Sequence, residues 1–219
     1  MSSLTTTDDH ASRTPAQSAP EQGIQRKVIQ PAWVRAMHWA NAVAMILMIM
    51  SGWQIYNASP LFNFRFSHSI TLGSWLGGAL LWHFAAMWLL MLNGLAYLIT
   101  GLATGRFRNK LLPITPNGVV SDVKAALTFK LAHDDLSTYN SVQKLLYAGI
   151  ILVGIVIVLS GLSIWKPVQL HWLVTLFGDY AAARYVHFVC MALICLFLIV
   201  HTALAVLVPK SLRAMIIGR

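Results

Sequence analysis

The chain has 219 residues, of which 57% are hydrophobic and only 11% are charged, and its mean hydropathy is +0.64. So few charged side chains could not cover the surface of a water-soluble domain of this size. The composition therefore excludes a soluble globular protein and favours a single helical membrane domain.

Residues 1–30 are rich in Ser, Thr, Ala and Pro and contain no apolar run. A cleaved signal peptide needs an apolar core of several residues, so this segment is not one. We expect a disordered tail on the cytoplasmic side of the membrane.

Four apolar segments are long enough to cross a bilayer, which takes roughly 20 residues as a helix. They predict an all-α membrane domain over residues 31–210, followed by a short cytoplasmic tail at 211–219. An interfacial helix is expected between Lys166 and Arg184, and a surface helix over Val119–Leu131. The predicted spans are residues 33–56, 76–102, 145–165 and 185–208.

The basic residues are distributed unevenly between the two sides of these spans. Thirteen of the sixteen Lys and Arg residues lie before the first span, between the second and third, or after the fourth. Only Arg65, Lys166 and Arg184 lie in the other two loops. Positive charge accumulates on cytoplasmic loops, so both termini are predicted to be cytoplasmic. The net charge of +9 is thereby explained without a nucleic-acid partner.

The first and third spans end alike, in Ser51-Gly52-Trp53 and Ser160-Gly161-Leu162, each continuing to an aromatic residue. Aromatic side chains are typical of the membrane–water interface. The likeness suggests an internal repeat, but six residues do not establish one.

Four of the eight histidines lie inside apolar segments: His38, His83, His187 and His201. The last two are fourteen residues apart, which on one helix is about 21 Å of rise and a return to nearly the same face. The spans contain no Asp or Glu, so histidine is the buried polar group that remains in them. We interpret Cys190 and Cys195 as small apolar fillers.

The depth of each histidine predicts how the four pair. His38 and His201 fall near the inner side of the membrane, whereas His83 and His187 fall near the outer side. Each pair would provide two axial ligands to one haem, a coordination that favours electron transfer over oxygen binding. His68, fifteen residues before His83, is the rival ligand, although its charged surroundings favour a loop.

Two arginines and two glycines accompany these histidines. Arg35 and Arg184 each precede a histidine by three residues, where they would bind haem propionates or anchor the helices at the interface. Gly52 and Gly94 would leave clearance for a haem or allow close helix packing. For the arginines, propionate binding and anchoring both remain open; for the glycines, haem clearance and close helix packing both remain open.

The sequence resembles the bacterial di-haem cytochrome b561 family over residues 30–210. The matching segments are R-A-M-H-W, L-L-W-H-F-A-A-M-W, Y-N-S-V-Q-K-L-L-Y and R-Y-V-H-F followed by H-T. The family includes the cytochrome b subunits of nickel-iron hydrogenases and is similar to the gamma subunits of formate dehydrogenases. The resemblance implies a four-helix bundle with two b-type haems, whose axial ligands are His38, His83, His187 and His201.

The resemblance also implies electron transfer in the bacterial cytoplasmic membrane, between a periplasmic partner and the quinone pool. The sequence has no cysteine cluster and no nucleotide-binding loop, so no catalytic residue is assigned. The partner would carry molybdenum, iron–sulfur, nickel-iron or c-type haem chemistry, in an assembly that is a homodimer or a trimer of complexes. Quinone would bind beside the inner haem, near residues that serve equally well in packing: Asn41, Asn93, Tyr97, Lys144 and Tyr147.

The alternative is an enzyme that acts alone, because some members of the family resemble superoxide:quinone oxidoreductases. Such an enzyme would attract its anionic substrate to a basic funnel above the outer haem. The residues available for the funnel are Arg65, His68, Lys166, His171 and Arg184.

Overall fold

The computed structural model describes residues 30–111, 115, 117–118, 120–122 and 141–218. The predicted tail up to residue 29 and most of the predicted Val119–Leu131 helix lie outside this range, and only 120–122 of that helix are described, as helical. The described residues form helices and loops without any strand. The helices are α1 (Ala32–Ala58), α2 (Leu76–Ala103), α3 (Arg106–Leu111), α4 (Ser141–Trp165), α5 (His171–Leu176), α6 (Tyr180–Leu207), α7 (Pro209–Ile217) and a 3₁₀ turn at His68–Ile70.

Helices α1, α2, α4 and α6 have 27, 28, 25 and 28 residues and are apolar enough to cross a membrane. The prediction of four membrane-spanning helices is therefore confirmed. Large apolar side chains point away from the bundle, including Leu81, which is 73% exposed, and Ile199, which is 68% exposed. In water these side chains would be costly, whereas in a bilayer they face hydrocarbon.

Helices α4 and α6 begin four and five residues earlier than predicted. The first turn of α4 contains the polar residues Ser141, Gln143 and Lys144, which hydropathy assigns to the loop. Asp179 caps α6, because its carboxylate accepts a hydrogen bond from the Ala182 N–H at 2.6 Å. Both helices thus extend beyond the hydrocarbon layer.

The bundle consists of two closely packed helix pairs. Helix α1 packs along α2, and α4 packs along α6. The contacts between these pairs are chiefly made by side chains, such as Phe84 against Trp165 with ring centres 5.0 Å apart. We call the end of the bundle that carries residues 59–75 and 166–179 the loop face, and the opposite end the termini face.

An amide contact joins α1 to α2 in the half near the termini face. The side-chain N–H groups of Asn93 donate to the Met37 carbonyl at 2.8 Å and to the Asn41 Oδ1 at 2.7 Å. Polar contacts of this kind stabilise helix pairs in hydrocarbon, which supplies no competing partner.

At the loop face, polar side chains of α1 hold the loop of residues 59–75 over the bundle. Asn57 pairs with the backbone of Phe66 in both directions, at 2.8 and 2.9 Å. Gln54 donates to the Ser74 carbonyl at 3.2 Å and accepts from the Thr71 hydroxyl at 2.8 Å. These hydrogen bonds hold the loop in place over the loop face, and we call residues 59–75 the cover.

Helix α5 is the interfacial helix expected between Lys166 and Arg184. Its inner side buries Leu173, which is only 2% exposed, together with Val174, whereas Trp172 is 63% exposed. Such a helix lies at the membrane surface with one side against the bundle.

The segment predicted as a C-terminal tail at 211–219 is mostly helical, since α7 occupies Pro209–Ile217. Arg35 of α1 donates to the Ile216 carbonyl at 2.8 Å, and the Trp39 indole donates to the Met215 carbonyl at 3.3 Å. Gly218 ends the helix at φ +86°, a conformation that side chains disfavour. These contacts seat the end of α7 against α1.

Candidate histidine site

The four histidines of the apolar segments lie at matched depths in the bundle. His83 and His187 each come seven residues after the first residue of α2 or α6, about 10 Å from the loop-face end of the helix. His38 comes six residues after the start of α1, and His201 six before the end of α6, about 9 Å from the termini-face ends. The structure thus contains one histidine pair near each face.

His38 and His201 face each other between the two helix pairs. Their ring centres are 6.0 Å apart, with the ring planes inclined by 56°. Two imidazole nitrogens bound to one metal at about 2 Å each place the ring centres roughly 6 Å apart. The separation therefore suits a single metal atom between the two rings. Trp39 lies edge-on to His38, and Phe197 stacks on His201.

The second pair, His83 on α2 and His187 on α6, lies near the loop face. Unlike the first pair, both rings are hydrogen-bonded through Nδ1 to the helix beside them.

The hydrogen bonds of Ser51 suit one tautomer of His83. The Ser51 hydroxyl has one proton to donate and lies 2.6 Å from the Leu47 carbonyl and 3.2 Å from that of Met48. When it donates to the Leu47 carbonyl, the shortest of its contacts, its oxygen accepts from the His83 Nδ1–H at 3.0 Å. In this arrangement the lone pair of the ring is on Nε2.

His187 has the same tautomer for a still simpler reason. Its Nδ1 lies 3.0 Å from the Ile157 carbonyl, which can only accept, and 3.1 Å from the Ser160 hydroxyl. Nδ1 must therefore be the donor, and Nε2 is again free to bind a metal.

A glycine follows each of these serines and allows the imidazole to approach the helix closely. A Cβ at Gly161 would lie 3.1 Å from the His187 Cε1, and one at Gly52 would lie 3.4 Å from the His83 Cε1. Gly52 thus makes room for a histidine ring, and its predicted haem clearance stays a prediction. At Gly94 a Cβ would meet no atom within 4 Å, so there the clearance interpretation also remains open.

The Ser-Gly steps of α1 and α4 therefore have the same role toward the histidine of the paired helix. Their similarity was visible in the sequence as Ser51-Gly52 and Ser160-Gly161, but their contact with histidine was not. Fourteen-residue spacing and depth located the candidate ligands, whereas the serines and glycines that contact them lie on other helices.

The two predicted arginines lie at opposite faces of the bundle. Arg35 donates to the C-terminal end of α7, and its buried Nε has no hydrogen-bond partner. Arg184 of α6 donates to the carbonyl and hydroxyl of Ser59, at the end of α1. Both arginines anchor helix ends, and their binding to propionates stays a prediction.

Aromatic side chains close the loop-face end above His187. Tyr56 of α1 contacts Phe188 of α6 with ring centres 5.3 Å apart, and Phe62 of the cover contacts the same ring at 5.2 Å. Trp53 stacks on Phe66 at 4.8 Å. Sequence analysis missed this cluster, since it depends on contacts between helix residues and the loop residues Phe62 and Phe66.

The rival ligand His68 lies in the 3₁₀ turn of the cover, outside the helix pairs. Within the described residues, no three His, Cys, Asp or Glu side chains group together as a metal site. Cys190 and Cys195 are free thiols inside α6. The donor set of the bundle interior is therefore two imidazole pairs.

Comparison with known proteins agrees with this arrangement. The model of the family described as prokaryotic cytochrome b561 matches residues 29–218. A protein of Azospira oryzae, provisionally named as the protein-methionine-sulfoxide reductase subunit YedZ1, is 51% identical over 190 residues. The match covers 87% of this chain and 96% of that relative.

The family match includes all four helices and both histidine pairs, and b-type haem is the cofactor of this family. The resemblance seen in the sequence is confirmed. The chain belongs to the prokaryotic cytochrome b561 family, whose members are multi-pass membrane electron-transfer proteins.

Proposed function

We propose that this chain carries electrons across the cytoplasmic membrane through two b-type haems, one held by each histidine pair. The observation that supports this most strongly is the placement of the pairs. Each joins the first helix pair to the second, and the two lie at similar distances from opposite faces. Helix α6 provides one ligand to each haem.

The residues fit haem in their chemistry. His83 and His187 are neutral tautomers that present Nε2, as an iron ligand must. The 6.0 Å between the His38 and His201 ring centres suits a shared iron. Haem would supply one-electron chemistry, and occupation of both axial positions leaves no site for oxygen. The protein positions the ligands, excludes water and surrounds the site with apolar side chains.

The cation distribution gives the orientation of this path. The termini face would be cytoplasmic and the loop face periplasmic, because thirteen of the sixteen basic residues lie on the side of the termini. The histidine pairs then stand in opposite leaflets of the membrane.

The electron partner would lie on the periplasmic side. Both cysteines of the chain lie within α6, so the chain cannot hold a cysteine-ligated cluster of its own. The relative's name refers to a reductase of methionine sulfoxide, and we propose a periplasmic oxidoreductase of that kind as the partner. Any reaction other than the oxidation or reduction of quinone would be catalysed by that subunit.

Quinone would exchange electrons near the His38–His201 pair. Of the five candidates for its pocket, Asn41 and Asn93 bind each other within the first helix pair. Tyr97 packs against Phe107 with ring centres 5.5 Å apart. Tyr97, Lys144 and Tyr147 remain the candidates nearest the termini face.

A stand-alone superoxide:quinone oxidoreductase is the second candidate function. One observation favours it: Arg65 and His68 line the same loop-face pocket of about 480 Å³, together with Gln54 and Asn57. Two of the other three predicted funnel residues are less available, since Arg184 binds Ser59 and Lys166 lies over the Trp165 ring at 4.8 Å.

Single histidine variants test the haem ligation. We expect His201→Ala to lose the haem of the termini face and His187→Ala that of the loop face, because each removes one axial ligand. The measurement is haem content per chain with reduced-minus-oxidised spectra in detergent. His68→Ala is the control and should retain both haems. Retention of both haems in either ligand variant would contradict the pairing.

The glycine contacts predict a graded effect on the loop-face haem. Gly161→Ala would place a methyl group 3.1 Å from the His187 ring and should shift the spectrum of that haem or lower its occupancy. Gly52→Ala, at 3.4 Å, should have a smaller effect. Gly149→Ala on α4, where a Cβ meets nothing within 4 Å, is the control. Equal effects of all three variants would count against the close contact.

Rapid reduction kinetics distinguish the two candidate functions. In purified protein, a reduced quinone analogue should reduce both haems. Superoxide should reduce the haems of the wild type and of an Arg65→Gln variant at the same rate. Fast reduction by superoxide that Arg65→Gln slows would favour the stand-alone enzyme. Failure of the quinol to reduce either haem would contradict the quinone connection.

A further inference from the structure

The two histidine pairs differ in their hydrogen bonding. His83 and His187 each donate Nδ1–H to an acceptor on the neighbouring helix. Neither His38 nor His201 forms a hydrogen bond with any other residue in the described part of the chain; their rings contact Trp39, Phe197 and each other.

The loop-face histidines share a serine acceptor at the same position of the neighbouring helix. The Ser160 oxygen lies 3.1 Å from the His187 Nδ1, and the Ser51 oxygen lies 3.0 Å from the His83 Nδ1. Each serine directly precedes the glycine that the ring approaches. His187 has the Ile157 carbonyl as a second acceptor, at 3.0 Å.

At His83 the hydrogen bonds form a chain. The ring N–H donates to the Ser51 oxygen, and the Ser51 hydroxyl donates in turn to the Leu47 carbonyl at 2.6 Å. Successive hydrogen bonds in a low dielectric polarise each other, which strengthens the hydrogen bond donated by the ring N–H. Ser51 and Ser160 are both fully buried, so water does not compete for these bonds.

Hydrogen bonding at Nδ1 changes the iron that Nε2 binds. Withdrawal of the ring proton makes the imidazole a stronger donor, and a stronger donor stabilises the ferric state over the ferrous state. Nearby charge does not reverse this difference, since each pair has one arginine three residues before a ligand, Arg35 and Arg184.

We infer that Ser51 and Ser160 are positioning residues that fix the loop-face imidazoles and lower the reduction potential of that haem below that of the termini-face haem. This inference rests on the proposed haem ligation. In protein reduced by one electron, the electron resides on the termini-face haem. Ser51 has the larger effect, because His187 keeps the Ile157 carbonyl when Ser160 is removed.

The test is a spectroscopic redox titration of the full chain in detergent. His187→Ala and His201→Ala, which keep one haem each, assign the two midpoints. We expect the loop-face midpoint to be the lower one, and Ser51→Ala to raise it. The expected rise changes the oxidised-to-reduced ratio at fixed potential by a factor of about ten, which equals 59 mV for one electron. Ser160→Ala should raise the same midpoint by less.

Ser163→Ala is the matched control, since this serine is equally buried on α4 but binds only the Ser160 carbonyl, at 2.7 Å. It should leave both midpoints unchanged. If Ser51→Ala loses the loop-face haem, Ser51→Cys replaces it, because a thiol of similar size is a weaker acceptor and should give the same positive shift.

The outcomes separate this inference from the proposed function. Wild-type protein without haem would overturn the proposed function. If the wild-type protein holds two haems and the loop-face haem has the higher midpoint potential, only the inference is overturned. Unchanged midpoints in both Ser51 variants with both haems retained would likewise overturn only the inference.

Discussion

An imidazole buried in a bilayer needs a partner for each of its nitrogens, because hydrocarbon provides none. At the loop-face pair this constraint fixes the local structure. One nitrogen of His83 donates to Ser51 on α1, and one nitrogen of His187 donates to the Ile157 carbonyl on α4. The remaining nitrogen of each ring is then left for a further partner, which we propose to be haem iron. Four helices take part, because each of the two histidines lies on one helix and its acceptor lies on another.

The packing of the bundle follows from these bonds. The donor and acceptor of each lie within one helix pair, so α1 must stay close to α2 and α4 close to α6. Glycine at 52 and 161 permits the approach, since a Cβ would press on the ring. His38 and His201 face each other between the two helix pairs. The bundle thus consists of two closely packed pairs with histidines between them, where the proposed haems would lie.

Much of this architecture could be predicted from the sequence, for physical reasons. The spans follow from length and hydropathy, which the bilayer dictates. The histidine pairs follow from depth, because α6 holds His187 and His201 fourteen residues apart. The serine contacts could not be predicted, since they depend on which helix faces which. Ser51-Gly52 and Ser160-Gly161 were recognisable only as a similarity between two span ends.

Other features could not be predicted from the sequence, because they depend on tertiary contacts. Helix α7 has nine residues, too few for a stable isolated helix, and it packs against Arg35 and Trp39 at the far end of the chain. The loop that covers the bundle contains no periodic pattern, and its shape depends on Asn57 and Gln54. Gln54 is a polar residue in a predicted span and Asn57 directly follows that span, and hydropathy gives neither of them a contact.

The most direct test of the account is the ligation state of iron in the wild-type protein. Electron paramagnetic resonance of the oxidised, full-length chain, combined with haem and protein quantification, gives both the number of haems and their axial coordination. The account predicts two haems per chain, both low-spin ferric with the signature of two histidine ligands. One haem per chain, or a high-spin signal from an iron with an open axial position, would contradict it.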